Sequence, residues 1–182
     1  MIRAWEHYDL SDDKGTQTIG TRMRRDGRIN SWATFKAIID WKARRVRGLI
    51  RRSQESRLRV VSERAFRLAE KGRPLGAIRE FVDAGIRGVK TRMASAILML
   101  YAPRRYTVMD VNAWKALVHL KRLSRTTGYK RPEDYPVYLE ACIRLAEDLD
   151  WGLRDTDRAL WIIGSHDGDV PTPGRRGCPH CS

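Results

Sequence analysis

The stretch that decides the fold is Ile86-Arg-Gly-Val-Lys-Thr-Arg-Met-Ala-Ser-Ala-Ile-Leu-Met-Leu-Tyr-Ala-Pro-Arg-Arg-Tyr-Thr-Val-Met-Asp-Val-Asn-Ala-Trp114. It opens with a glycine turn and continues from Thr91 to Ala102 with residues that are small or apolar on almost every side. Because a helix that is apolar all round is buried all round, we predict that this segment is the central helix of the domain. Pro103 then ends the helix.

Asp110 stands at the second boundary within this stretch. It follows a short segment, Tyr106 to Met109, and precedes an apolar pattern that starts at Val111 and includes Trp114. Aspartate is among the residues favoured at helix N-caps, because its carboxylate accepts hydrogen bonds from the first free amides. We therefore predict that Asp110 caps the helix that follows it.

Apolar residues recur at helical spacing in most of the remaining chain. Ser31 is a predicted N-cap, and the pattern after it continues to Ile50. Further helices are predicted at residues 58–68, from Pro74 to Gly85, after the polar loop of residues 124–134, and from Asp155 or Thr156 to Gly164. No segment alternates every two residues and no long period repeats, so the predicted fold class is all-α, with about seven helices.

The domain organisation follows from where the apolar positions lie. A chain of 182 residues fits one domain. We predict a helical domain over residues 31–164. Residues 1–30 have few apolar positions and are predicted to be a basic N-terminal arm, either laid on the domain or partly disordered. Residues 165–182 are rich in glycine, proline and charge and are predicted to be a flexible C-terminal tail.

The charge balance indicates a polyanionic partner. Lysine and arginine number 36 against 22 aspartates and glutamates, which gives a formal net charge of +14. A field of this sign attracts nucleic acid, so nucleic acid is the expected partner. On a continuous helix after Ser31, Arg44, Arg47 and Arg51 would share one stripe. That stripe could follow a phosphate backbone, or it could be an ordinary solvated face.

Nothing in the sequence indicates secretion or a membrane. The three cysteines cannot all pair with one another. The longest apolar run, Met93 to Ala102, is about half as long as a membrane-spanning helix, and residues 1–30 lack the apolar core of a signal peptide. We therefore expect a soluble intracellular monomer, in the cytoplasm, nucleoid or nucleus, without a membrane partner.

The glycine turn before the buried helix is a candidate phosphate-binding site. A turn around Gly88 and Val89 exposes backbone N–H groups at a helix N-terminus, where the helix dipole also favours an anion. Arg87, Lys90 and Arg92 add full positive charges around the same turn. Glycine is common at helix boundaries, so this signal is weak on its own.

The order of these features resembles the helix-hairpin-helix-GPD superfamily of base-excision DNA glycosylases, which includes endonuclease III and the 8-oxoguanine glycosylases. The matching residues are Gly88-Val89, Ala94-Ser95-Ala96-Ile97-Leu98 and Val108-Met109-Asp110-Val111-Asn112-Ala113-Trp114. The resemblance is close over residues 78–120 and only architectural elsewhere. It implies an all-α, two-lobed domain that contains a helix-hairpin-helix motif. Double-stranded DNA would lie across the hairpin, and the target nucleotide would be extruded into a pocket between the lobes.

The resemblance also implies a reaction and its residues. It places the catalytic aspartate of the family on Asp110, where a carboxylate can stabilise the positive charge that develops on the sugar and can orient water. It implies a DNA-binding turn made of Arg87, Gly88, Val89, Lys90 and Arg92. We expect a base-excision repair glycosylase that hydrolyses the N-glycosidic bond without a cofactor. A non-catalytic helix-hairpin-helix DNA-binding module and a basic RNA-binding scaffold are the alternatives.

Two positions depart from the family pattern and bear on strand cleavage. Lys90 stands where family hairpins usually have a second glycine. Members that also cleave the DNA backbone carry a lysine nucleophile where the register of this chain gives Arg92, and arginine is a poor nucleophile because it stays protonated. We therefore expect base hydrolysis without strand cleavage, with Lys90 as the alternative source of an amine.

The C-terminal cysteines do not match an iron–sulfur site. Many family members bind a cluster through four cysteines near the C-terminus, whereas this chain has Cys178 and Cys181 there. These two, with His166 and His180, could contribute to a zinc site, but we predict no bound metal.

Four aromatic residues are candidates to stack on an extruded base, although such residues are more often part of the core of a helical domain. They are Trp41, Trp151, Trp161 and Tyr106. No motif indicates which base is removed.

Overall fold

Eight α-helices form the part of the chain that this computed structural model describes, residues 12–124 and 129–165. In order they are α1 (Asp12–Asp26), α2 (Trp32–Lys42), α3 (Glu55–Glu70), α4 (Pro74–Asp83), α5 (Thr91–Tyr101), α6 (Val111–His119), α7 (Asp134–Leu149) and α8 (Leu153–Ser165). Short 3-10 turns lie at Arg44–Val46 and Arg52–Gln54. These two ranges contain no strand, which confirms the predicted all-α class. Judged by length and hydropathy, the helices described include no candidate for crossing a membrane.

Local signals set several helix boundaries where the sequence predicted them. The Ser31 hydroxyl caps α2 by accepting a hydrogen bond from Thr34 N at 3.2 Å. Pro74 begins α4, a position where its missing N–H costs no helical hydrogen bond. After α3, Gly72 has φ +68°, a left-handed conformation that glycine adopts without strain.

Helix α5 is the buried centre of the fold, as predicted. Of its 11 residues, all except Arg92 are buried. Helices α1, α2, α3 and α4 all pack against it. It ends at Tyr101, just before Pro103.

Helix α1 lies on the C-terminal end of α5. A Cβ atom on Gly20 would lie 2.3 Å from the Leu100 carbonyl oxygen, so the two helices approach at a glycine. Arg24 Nη1 donates to the carbonyl oxygens of Leu100 at 3.3 Å and Tyr101 at 3.0 Å, where the last turn of a helix lacks internal partners. Met23 is fully buried. Residues 12–26 of the predicted arm are therefore a helix laid on the domain, and residues 1–11 lie outside the described residues.

The prediction of one helix from the Ser31 cap to Ile50 is wrong, because α2 ends at Lys42. The chain bends there, and a Cβ atom on Gly88 would lie 3.1 Å from Cγ2 of the buried Ile50. Burying Ile50 against the glycine turn requires the chain to leave the helix. The predicted arginine stripe therefore does not form, and Arg47 instead pairs with Asp40.

The last three helices pack on one another, with α8 against both α6 and α7. The contact between α6 and α8 is close, because a Cβ atom on Gly164 would lie 1.8 Å from the backbone oxygen of Asn112. Tyr135 and Tyr138 of α7 are fully buried. The first turn of α6 is thus held directly by the backbone of α8.

Candidate active site at the start of α6

The segment of residues 106–109 that leads to Asp110 is buried, belongs to no helix and is held by side chains from other helices. Its backbone groups have the following partners: the Tyr135 hydroxyl donates to Thr107 O at 3.0 Å, the Tyr138 hydroxyl donates to Val108 O at 2.8 Å, and Met109 N donates to Ser95 Oγ at 3.0 Å. Buried backbone groups need such partners, since leaving one unpaired is costly. These three hydrogen bonds therefore fix the position from which Asp110 projects.

The two carboxylate oxygens of Asp110 have different roles. Oδ1 accepts hydrogen bonds from Asn112 N at 2.9 Å and Ala113 N at 3.0 Å, which confirms the predicted N-cap. Oδ2 accepts from Lys42 Nζ at 3.2 Å. The Asp110 side chain keeps 15% of its surface exposed. One oxygen is thus used by the helix, and the other faces a lysine at a partly open position.

Lys42 is the site residue that the sequence did not reveal. It is the last residue of α2, its side chain is 20% exposed, and it lies 68 positions before Asp110 in the chain. The predicted helix continued past Lys42, which placed it in mid-helix with no link to Asp110. No local feature of the sequence around Lys42 indicates this contact.

A second carboxyl group lies in the same neighbourhood. Asp157 of α8 is buried and accepts a hydrogen bond from Arg154 Nη1. Burial is the main cause that raises the pKa of the Asp157 carboxyl; the positive charge of Arg154 opposes this shift, the negative charge of Asp110 adds to it, and Lys42 opposes it further. The Arg154 guanidinium also lies 5.9 Å from the centre of the Trp41 ring. Two acids, two cations and one indole therefore surround this site.

The turn between α4 and α5 requires glycine for two reasons. Val89 N donates to Ile86 O at 3.0 Å, and this bond closes a turn in which Gly88 has φ +81°. A side chain at Gly88 would be strained in this conformation and would also press on Ile50. The turn is therefore fixed both by its own backbone and by the segment that follows α2.

The predicted DNA-binding residues do not all present their side chains to solvent. Arg87 and Lys90 are exposed, Arg92 is partly buried, and Val89 is buried at 3% exposure and anchors the turn in the core. The Arg92 guanidinium lies 6.0 Å from the centre of the Tyr129 ring. Lys90 is the N-cap of α5, and its side chain makes no capping hydrogen bond. The first amides of α5 are therefore flanked by two exposed cations.

One hydroxyl group connects the start of α5 with the residue before Asp110. Ser95 Oγ donates to Arg92 O at 2.9 Å and accepts from Met109 N at 3.0 Å. Ser95 is completely buried, so this connection is shielded from water. The spacing between the turn and Asp110 is thus set by core contacts.

The structure separates the aromatic candidates. Tyr106 is 3% exposed and its hydroxyl donates to the Ala69 carbonyl oxygen, so of the two alternatives it is a core residue. Trp41, Trp151 and Trp161 are partly buried. Trp41 directly precedes Lys42, which makes it the aromatic candidate next to the site.

The metal alternatives fall largely outside the part of the chain that the structure describes. Cys178, Cys181, His166 and His180 are not among the described residues. Within residues 12–124 and 129–165, no three histidine, cysteine, aspartate or glutamate side chains are grouped so that they could hold a metal ion.

Comparison with protein-family models, curated proteins and solved structures gives no significant match to this chain. The described structure defines the chain as an all-α protein with an aspartate–lysine pair at the start of one helix. Its function is therefore inferred from the chemistry of that pair and from the charge around it.

Proposed function

We propose that this protein is a DNA N-glycosylase that hydrolyses the bond between deoxyribose and a damaged or mismatched base extruded from duplex DNA. The observation that carries this proposal is the placement of Asp110, a carboxylate fixed at a helix N-cap with one oxygen directed at Lys42 and part of its surface open. In this proposal, Asp110 is the catalytic carboxylate.

The rigidity of Asp110 supports this role. Cleavage of the N-glycosidic bond builds positive charge on the sugar, and a carboxylate that is already in position stabilises this charge without reorganising. The two amide hydrogen bonds to Oδ1 and the tyrosine-anchored segment before Asp110 supply that positioning. Oδ2 can in addition orient the attacking water.

In this proposal, the turn between α4 and α5 is the hairpin of a helix-hairpin-helix motif and binds the DNA backbone. Exposed Arg87 and Lys90 flank amides at the positive end of α5, an arrangement that favours a phosphate group. The net charge of +14 draws a polyanion to the protein. Buried Ser95 would hold the seated phosphate and Asp110 at a constant separation.

The proposed two lobes correspond to α1–α5 and α6–α8. Lys42 comes from the end of α2 and Asp110 from the start of α6, so their 3.2 Å contact joins the two groups of helices. An extruded nucleotide has to enter between the lobes in this architecture. The acid–amine pair would then lie where that nucleotide arrives.

Replacement of Asp110 tests the proposal. Asp110→Asn and Asp110→Ser both keep a side chain that caps helices well but remove the carboxylate. We expect base release from the duplex that the unsubstituted protein processes fastest to fall by about 10²-fold or more, while duplex binding changes little. The measurement is alkaline strand cleavage on a panel of duplexes with deaminated, oxidised, alkylated or mismatched bases. Asp150→Asn is the matched control, since exposed Asp150 has φ 53°, which asparagine also tolerates.

The same panel, together with an RNA competition, distinguishes the proposed glycosylase from the two alternative functions. An unsubstituted protein that binds duplex DNA but releases no base would be a non-catalytic DNA-binding module. Tighter binding to structured RNA than to duplex DNA, in competition at one fixed salt concentration, would identify an RNA-binding scaffold. Base release that survives both substitutions would remove Asp110 from the reaction.

A further inference from the structure

We propose that Lys42 is the nucleophile of a second reaction at this site, in which its amine forms a Schiff base with the base-free sugar and the DNA strand is cleaved by β-elimination. This inference rests on the proposed function for the placement of DNA, but it adds an activity that base hydrolysis does not include. It also differs from the expectation based on Arg92, because the amine comes from α2 and not from the turn or α5.

The geometry that supports this assignment is the contact between the Lys42 amine and the Asp110 carboxylate. Nζ lies 3.2 Å from Oδ2, and the two side chains are 20% and 15% exposed, so the pair is sheltered and still reachable. A sugar placed so that Asp110 stabilises charge at C1′ therefore has the Lys42 amine beside the same carbon. The arrangement is that of a nucleophile with its proton acceptor within hydrogen-bonding distance.

The other basic residues considered for this role are less suitable. Arg92 stays protonated and packs near the Tyr129 ring. Lys90 is exposed at the N-cap of α5, and the hydrogen bonds and ion pairs of the described ranges include none between Lys90 and Asp110. In the described part of the chain, the lysine that forms an ion pair with Asp110 is Lys42.

Proximity to a second carboxyl group distinguishes Lys42 from an ordinary surface ion pair. Asp157 of α8 is buried, and the charges of both Lys42 and Asp110 act on its carboxyl. Arg154, which bonds to Asp157, lies over the ring of Trp41. The Lys42 amine is thus paired with a carboxylate of α6 and lies within the electrostatic field of charged groups of α8.

The reaction balances without a cofactor. Lys42 gives a proton to Asp110, and the nitrogen lone pair attacks C1′ of the ring-opened sugar to form a C–N bond. A proton moves from the attacking nitrogen to the former carbonyl oxygen and makes it a hydroxyl. Asp110 then returns its proton to this hydroxyl, which leaves as water and gives the protonated Schiff base. Asp110 then removes a proton from C2′, the electron pair forms a C2′–C3′ double bond, and the C3′–O bond breaks to release a 5′-phosphate end. Asp110 passes the proton from C2′ to the released phosphate or to solvent, and water hydrolyses the Schiff base to an aldehyde and the protonated amine of Lys42.

Borohydride trapping on a preformed base-free site tests this reaction directly. The substrate is a duplex in which one uracil has been removed beforehand, and sodium borohydride reduces a Schiff base to a stable amine that links protein to DNA. We expect the full-length protein to be cross-linked, with the link mapped to Lys42 by peptide mass spectrometry. Lys42→Gln and Lys42→Arg should each lose the cross-link.

The arginine variant separates loss of the amine from loss of the ion pair, because it keeps a positive charge next to Asp110. Lys36→Arg, at an exposed position of the same helix α2, is the matched control and should be cross-linked as efficiently as the unsubstituted protein. Thermal unfolding of each variant shows that it is folded. Mapping the link in the unsubstituted protein tests the assignment even if a variant does not fold.

A link mapped to Lys90 or to any other amine overturns the proposal, and so does the absence of a link in the unsubstituted protein. Because the substrate already lacks its base, failure here leaves the glycosylase proposal intact if the lesion panel shows base release. A link at Lys42 with no base release from any lesion would support the lyase reaction and remove the glycosylase proposal.

Discussion

At the scale of single residues, Asp157 is expected to make stability depend on pH. Burial raises the pKa of its carboxyl, so the folded protein holds this proton more tightly than the unfolded chain does. The stability that comes from this tighter proton binding is fully present below the ordinary aspartate pKa of about 3.9. It is lost as the pH rises through the raised pKa of the folded protein. Asp157→Asn cannot ionise and should not show this loss.

Urea unfolding between pH 4 and pH 7 measures the effect, through the difference in unfolding free energy between Asp157→Asn and the unsubstituted protein. This difference should shift in favour of the variant as the pH rises. The charges that face Asp157 from α2, the start of α6 and α8 are Lys42, Asp110 and Arg154, and all three remain in the variant. Asp83→Asn on the exposed end of α4 serves as the control. A difference that is constant over this pH range would contradict the prediction.

Sequence reasoning identified Asp110 at this scale but not Lys42, for a physical reason. The cap of α6 is local, because Oδ1 bonds to amides two and three positions later, and such a cap depends on residue type and spacing. The contact with Lys42 joins positions 68 apart. It forms because α2 stops at Lys42, and that stop depends on burial of Ile50 against a distant turn.

At the scale of helices, the approach of α6 to α8 predicts a large effect of Gly164→Ala. The added Cβ would lie 1.8 Å from the Asn112 carbonyl oxygen and 2.4 Å from its carbon, so one helix must move. Overpacking of this kind typically costs about 1 to 3 kcal/mol, and we expect the unfolding free energy to fall by about 2 kcal/mol or more. Because Asn112 N bonds to Asp110 Oδ1, base release should also fall in the folded variant.

Chemical denaturation of Gly164→Ala and Gly15→Ala provides the comparison. Gly15 lies in α1, and a Cβ there would meet nothing within 4 Å. Alanine is a better helix former than glycine by up to about 1 kcal/mol, so this control should be equally stable or more stable. Equal unfolding free energies for Gly164→Ala and the unsubstituted protein would show that α8 does not constrain the start of α6.

Helices whose signals are local were predictable, and those defined by packing were not. The apolar composition of α5, Pro74 at the start of α4 and Gly72 after α3 all act within a few residues. Helix α1 is mostly polar, and what holds it is the fit of Gly20 and Arg24 against the end of α5. Spacing within residues 1–30 contains no information about that distant surface.

At the scale of the whole molecule, the net charge of +14 predicts that DNA binding weakens as the salt concentration rises. We expect phosphate contacts at the turn before α5 to account for part of this salt dependence. Each neutralised phosphate contributes about 0.9 to the slope of log K against log salt concentration. Lys90→Gln should therefore weaken binding and reduce this slope by about one phosphate contact. Fluorescence anisotropy titrations at a series of KCl concentrations provide the measurement.

Arg144→Gln is the control for this experiment. Arg144 is exposed on α7 and pairs with Glu140, so the substitution removes the same unit of charge without touching the turn. Its slope should match that of the unsubstituted protein. Equal slopes for the two variants would mean that the overall charge, and not the turn, determines the salt dependence.

The all-α class was predictable at this scale because it depends on periodicity along the whole chain. The meeting of Lys42 with Asp110 across two groups of helices was not, since it depends on how those groups dock. Charge indicated a polyanionic partner but did not locate the acid–amine pair.

The buried hydroxyl of Ser95 fixes the distance between the turn before α5 and the start of α6. It joins the backbone at Arg92 to the backbone at Met109, because one oxygen atom takes part in both hydrogen bonds. If a phosphate is seated at the turn, the offset in nucleotides from that phosphate to the base above Asp110 is set by the protein and not by the DNA. A lesion one step out of register would lie beyond reach, and a protein acting as the proposed glycosylase would have to slide along the strand to meet it.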